Sequence, residues 1–117
     1  MATTSAVRPV SLRSSREIAA VLRSRNRRAG ERVVLHARRV RGDEPPRVAV
    51  VASRKVGSAV ARNRAKRLMR EAARQVDWKR GTDLVIVARR ECADSTSREV
   101  AAEVAALAQA LDLIEQR

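Results

Sequence analysis

Apolar residues along this chain alternate between helical and strand spacing. Ile18, Val21 and Leu22 recur at i, i+3 and i+4, and Ser14 followed by Glu17 fits a capping box, so a helix is predicted to begin at Ser14 and end near Ser24. A basic connector, RNRRAG, leads to Gly30. Residues 32–40 then turn β-branched and apolar (Val33, Val34, Leu35, Ala37, Val40), which predicts a strand. In RGDEPP, residues 41–46, Gly42 and two prolines cannot continue a ladder and mark a turn. The apolar run at 48–53 reads as a strand buried on both faces, paired antiparallel with the strand before it. Gly57 introduces a helix over 58–76, and DWKRGTD closes it. Leu84 to Ala88 supplies another strand, with Asp83 just ahead of it. Thr96 with Glu99 makes a second capping box, and Val100, Val104, Leu107, Leu111 and Ile114 carry a last, structural helix. The small, polar start of the chain, with Pro9, reads as a flexible arm over 1–11, leaving 12–117 as one domain. These elements predict an α+β fold: a mixed sheet with helices packed mainly on one face.

The helix over 58–76 carries the functional signal. At about 100° per residue, Ala61, Ala65, Leu68, Met69, Ala72 and Val76 share one sector. Asn63, Lys66, Arg67, Arg70 and Arg74 lie opposite, with Arg62 and Arg64 at the two borders, and Arg54 and Lys55 precede Gly57. A merely solvated face would carry acids one turn away from its cations. Between Ser53 and Arg70 there is none, and Glu71 is the first.

Charge gives that face a direction. The 117 residues hold 26 Lys and Arg against 13 Asp and Glu, a net charge of +13. Solubility needs a far smaller excess, so a phosphate-bearing partner is implied, RNA or DNA. A membrane surface would want large apolar residues facing the lipid, and here the apolar face is mostly alanine and needed for the core. No apolar run reaches membrane-spanning length and the first residues lack a signal-peptide core, so no membrane partner and a cytoplasmic location are expected.

Catalytic material is scarce. Trp78 is the lone aromatic, which argues against stacking bases on a row of rings and suits a lid on the core. One cysteine, Cys92, allows no intramolecular disulfide and no Cys-rich zinc site, and it reads as a bland thiol despite Arg89 and Arg90. His36 reads as a half-buried or surface residue of its strand rather than a general base. The glycines are too scattered for a phosphate-cradling loop. Two binding roles fit the basic face: a structural ribosomal or RNA-assembly protein, and a DNA-binding module using the basic helix in a major groove.

The basic residues also resemble a family signature. Ser53-Arg54-Lys55-Val56-Gly57, Ala59-Val60, Arg62-Asn63-Arg64, Lys66-Arg67-Leu68 and Arg70-Glu71 are similar to the protein subunit of bacterial ribonuclease P. Leu12-Arg13, VVLHARR, Gly81, Asp83 and IVARR fall in the family's order and spacing. The resemblance implies an α/β sandwich with a mixed four-stranded sheet in the order α-β-β-β-α-β-α, like a domain of ribosomal protein S5. It places the short first strand in residues 25–29 and joins the long helix by a left-handed crossover, against the usual rule. It implies a protein that helps a catalytic RNA remove the 5′ leader of precursor tRNA, with active site and magnesium in the RNA and no cofactor bound by the protein alone. Arg54, Lys55, Arg62, Asn63, Arg64, Lys66, Arg67 and Arg70 would face the catalytic RNA. The leader would run in a cleft between the sheet and the basic helix, near the first helix. Where family members place aromatics, this chain has Ile18, Leu22, His36 and Ala73.

Overall fold

Sheet order departs from chain order. The computed structural model describes residues 9–40 and 42–115. Most of the expected arm, Arg41 at the head of the expected turn, and the last two residues therefore lie outside the described residues. The elements are β1 (Val10–Ser11), α1 (Ser15–Leu22), β2 (Arg27–Ala29), β3 (Val33–Arg39), β4 (Arg47–Val51), α2 (Ala59–Arg74), β5 (Thr82–Ala88) and α3 (Ser97–Ala110). Single 3₁₀ turns occupy Arg54–Val56 and Arg90–Asp94.

The sheet has five strands in the order β1-β4-β5-β3-β2. The expected antiparallel hairpin between β3 and β4 does not form: β5 lies between them, antiparallel to β3 and parallel to β4. The reason is burial. β5 is the most continuously buried strand and takes the centre, and α2 provides the crossover that a parallel β4–β5 pair requires. The strand added to the expected four is β1. Val10 and Ser11, assigned to the arm from sequence, pair in parallel with Arg47 and Val48, and the Leu12 N–H donates to the Val48 carbonyl at 2.9 Å. A short strand between α1 and β3 does form, as the resemblance implied.

Alternation along the strands divides the core in two. Leu35, Ala37, Leu84 and Ile86 face Ala65, Leu68, Met69 and Ala72 of α2 and Val100, Val104 and Ala108 of α3. On the opposite face Val85 packs with Leu12 and Val21, with Ile18, Ala49, Val51 and Val87 partly buried around them. Helices thus lie mainly on one face, with the short α1 on the other. Trp78 is a buried lid: its indole N–H donates to the Ala73 carbonyl at 2.9 Å, seating the end of α2. At Gly81, φ is +71° and a Cβ would sit 2.6 Å from the Gly42 carbonyl oxygen, so a side chain there would separate the two connections.

Helix α1 is capped as expected at one end of the box only. The Ser14 hydroxyl accepts from the Glu17 N–H at 3.2 Å. The Glu17 carboxylate turns to the sheet instead, accepting from Arg47 Nη1 and Nη2 at 3.2 and 3.1 Å. Arg47 also donates Nε and Nη2 to Asp83 at 2.8 and 2.7 Å, and Arg38 approaches Asp83 at 3.9 Å. Asp83 is 1% exposed. Because β5 begins at Thr82, Asp83 lies inside the strand rather than ahead of it. Its charge is tolerable only because two guanidinium groups surround it. Arg47→Ala, which strands the buried Asp83 carboxylate, is expected to cost about 3 kcal/mol or more in urea unfolding. Glu17→Ala, at the solvent end of the same network, should cost about 1 kcal/mol or less. Equal losses would show that the buried carboxylate is not what holds these strands and α1 in register.

Candidate nucleic-acid interface

The interface begins where β4 ends. The Ser53 hydroxyl accepts from the Lys55 N–H at 3.3 Å and caps the turn that presents Arg54 and Lys55. Gly57, at φ 135°, turns the chain, and the Ser58 hydroxyl accepts from the Ala61 N–H at 3.1 Å to start α2. No acid lies in the first turn of α2, so nothing in that turn offsets the positive end of the helix dipole. The predicted apolar sector is the buried one, with Ala73 joining it. Arg54, Lys55, Asn63, Arg64, Arg67, Arg70 and Arg74 are exposed, while Arg62 and Lys66 are partly buried. Among the described residues, no ion pair involves a cation between Arg54 and Arg74.

The two borders of this face do different work. Arg62 Nη1 donates to the Gly57 carbonyl at 2.8 Å, bracing the turn that leads into the helix. Arg64, on the opposite border, donates Nε to the Ala93 carbonyl at 2.7 Å and Nη2 to the Ser95 carbonyl at 3.2 Å. Arg64 therefore ties α2 to the Arg90–Asp94 turn and spends two donors on the fold. Arg54, Lys55, Asn63, Arg67 and Arg70 have no such commitment, and they share one surface along the turn and the outer side of α2 with Arg62 and Lys66 at its edge.

A cleft of about 430 Å³ adjoins this surface. Its lining brings together Val48, Ala49 and Val50 of β4, Ile18 and Ala73 with three cations, Arg13, Arg70 and Arg74. Arg70 thus belongs to both the helix face and the cleft. Arg74 and Arg13 were not among the sequence-derived site residues. The spacing of Arg74, one turn beyond Arg70, carried the signal, whereas Arg13 had none beyond its charge. Of the residues expected to line a leader cleft, Ile18 does so. Leu22, 38% exposed at the end of α1, and His36 on β3 are not in its lining. His36 is more buried than expected, with Nδ1 unpartnered among the described residues. Burial, then the charge of Arg27, lowers its pKa below the usual imidazole value, so at neutral pH it adds no cation.

Burial pushes the Cys92 thiol up to about 11, with Glu103 acting in the same direction and Arg32 and Arg64 opposing. A thiol of that kind is inert at neutral pH. Among the described residues no group of three or more His, Cys, Asp and Glu could hold a metal ion. No helix among them is long and apolar enough to cross a membrane.

The family model described as Ribonuclease P matches residues 7–112. The chain belongs to the ribonuclease P protein family. It is 39% identical over 95 residues to the ribonuclease P protein component of Beutenbergia cavernae, covering 80% of each chain. The Symbiobacterium thermophilum component is 36% identical over 91 residues, covering 75% of this chain and 78% of the relative. Among solved structures, the ribonuclease P protein from Thermotoga maritima superposes with a TM-score of 0.74 at 25% identity, covering 91% of this chain and 98% of that one. The Staphylococcus aureus ribonuclease P protein gives a TM-score of 0.75 at 18% identity over 90% and 97% of the two chains, a likeness of fold alone. The mixed α/β architecture is that of ribonuclease P proteins, and α2 carries the Arg62-Asn63-Arg64 motif on which the sequence resemblance rests.

Geometry within the motif makes a separable prediction. Arg64→Ala should lower stability to urea by about 1 kcal/mol, since two carbonyls lose a charged donor at a partly solvated site. Arg67→Ala, on the free face, should stay within about 0.5 kcal/mol of the native protein. If Arg64→Ala were equally silent, its bonds to the Arg90–Asp94 turn would have no energetic weight.

Proposed function

We propose that this chain is the protein subunit of a ribonuclease P holoenzyme, binding the catalytic RNA through the outer face of α2 and the Arg54–Val56 turn. The 5′ leader of precursor tRNA occupies the cleft beside β4, and the protein aids its endonucleolytic removal. The observation that carries this reading is continuity: the cations of α2 run through Arg70 and Arg74 into the lining of the cleft beside β4. One polyanion on the helix face and a second strand in the cleft would meet at Arg70.

The division of labour follows from the donor set. Among the described residues, the α2 face and the cleft bring cations to the phosphates, and the cleft lining holds no His, Cys or carboxylate, so the reaction centre is assigned to the RNA. Magnesium, which the holoenzyme needs, does not suit this protein's own residues. The ion favours carboxylate and phosphate oxygens, the α2 face has no carboxylate before Glu71, and the buried Asp83 carboxylate is taken by Arg47 and Arg38. Magnesium is therefore held by RNA. Lowering phosphate repulsion near Arg70 and Arg74 raises the holoenzyme's apparent affinity for it. In the cleft, Ile18, Ala73 and the β4 residues give apolar contact to a leader in place of aromatic stacking. The cytoplasm is the proposed place of action.

The test is reconstitution. The purified protein, added to a bacterial ribonuclease P RNA and precursor tRNA at low magnesium, is expected to stimulate cleavage of the 5′ leader. It should also lower the magnesium concentration giving half-maximal rate. Tight RNA binding without stimulation would point to a structural RNA-assembly protein instead.

A further inference from the structure

The cations of α2 leave much of the charge excess unaccounted for. A second set, Arg16, Arg23, Arg25 and Arg27, is exposed, and none of them forms an ion pair among the described residues. Their placement follows from phase and register. On α1, Val21 is buried and Glu17 bonds to Arg47, so that side faces the sheet. Arg16 and Arg23 fall on the opposite side, about two turns and roughly 10 Å apart along the axis. Arg25 leads into β2, where Arg27 is opposite His36. His36 in turn is opposite Val85, a member of the α1-side core, so Arg27 stands on the α1 side of the sheet. The influence of Arg27 on His36 agrees with that placement. β2 is the edge strand farthest from β1 and the cleft, and α2 packs on the other side of the sheet.

The surroundings of these arginines select a partner. The acids nearest to them in sequence are committed, Glu17 to Arg47 and Glu31 to Arg32. One turn from Arg16 and from Arg23 on α1 stand Ala20 and Ala19, where a self-neutralising face would carry acids. Those alanines also give a lipid surface little to bury. No aromatic lies among the arginines, so unstacked bases find no platform. Isolated guanidinium groups on a helix and an adjoining strand suit a regular row of phosphates.

We propose that the outer side of α1 and the edge strand β2, through Arg16, Arg23, Arg25 and Arg27, form a second RNA-binding surface that takes the phosphate backbone of an RNA duplex. The protein then bridges two RNA segments on opposite sides of its sheet. The proposal rests on the reading of α2 as the first RNA surface, and the experiment separates the two. A labelled short RNA duplex is titrated onto the complex of the full protein with bacterial ribonuclease P RNA, and onto that RNA alone, across a range of salt. The native complex should bind the duplex with a log–log salt slope of about −3 to −4, as about four phosphate contacts require. A variant carrying Arg16→Gln, Arg23→Gln, Arg25→Gln and Arg27→Gln should lose at least about tenfold in duplex affinity and most of the slope. Its affinity for ribonuclease P RNA should stay within about twofold. The four-lysine variant should retain duplex binding, which separates charge from folding. Duplex binding no better than by the RNA alone, or unchanged in the glutamine variant, would overturn the proposal. So would an equal loss of ribonuclease P RNA affinity, or competition by anionic lipid vesicles for a complex that ignores the duplex. If the native protein failed to hold ribonuclease P RNA, the α2 reading would fall, and the same comparison of native and glutamine variants on the free protein would still decide the α1 surface.

Discussion

Burial of one side of α2 holds its other side in an arrangement that its own charges oppose. Arg62, Lys66, Arg70 and Arg74 follow one another at four-residue steps, so each repels the next across a turn. Like-charge neighbours at that spacing cost about 0.2–0.5 kcal/mol each, and three such steps amount to roughly 1 kcal/mol. Full burial of Leu68 and Met69 contributes about 1.5–3 kcal/mol apiece, so packing wins and the helix stays formed. What remains is a row of cations without ion pairs among the described residues, whose mutual repulsion a phosphate chain would relieve.

The rest of the molecule serves that row. β5 at the centre of the sheet and α3 beside α2 provide the buried surface that α2 needs. Arg64 and Trp78 fix its two ends, one to the Arg90–Asp94 turn and the other through the indole bond to Ala73. On the far side, the Glu17–Arg47–Asp83 network holds α1 in place, so Ile18 reaches the cleft while Arg16 and Arg23 point away from the sheet. One domain thus presents basic surfaces in two directions, with a cleft at the β4 edge adjoining the first.

Local features are legible in the sequence, and long-range ones are not. The face of α2, its Ser58 cap and the capping box at Thr96 depend on residues within one or two turns, and 3.6-residue periodicity exposes them. Strand order depends on which apolar run is most buried, a comparison across the whole chain, so proximity in sequence suggested a β3–β4 hairpin that β5 interrupts. β1 is two residues long and carries no pattern to read. Arg64 was visible at the border of the helix face, but its carbonyl acceptors come from a turn about thirty residues away, and no spacing rule points to them. The cleft beside the first helix takes in Ile18 and Ala73 and not Leu22 or His36, because β1 and β4 supply much of its lining.

The central claim, that α2 is a preorganised electrostatic docking surface, is tested most directly by ionic strength. Affinity of the native protein for bacterial ribonuclease P RNA is measured across a range of monovalent salt at fixed pH. If about six phosphates are neutralised, the log–log slope is near −5. A tight complex whose affinity barely changes with salt would contradict the account, because the unpaired cations would then not be what holds the RNA.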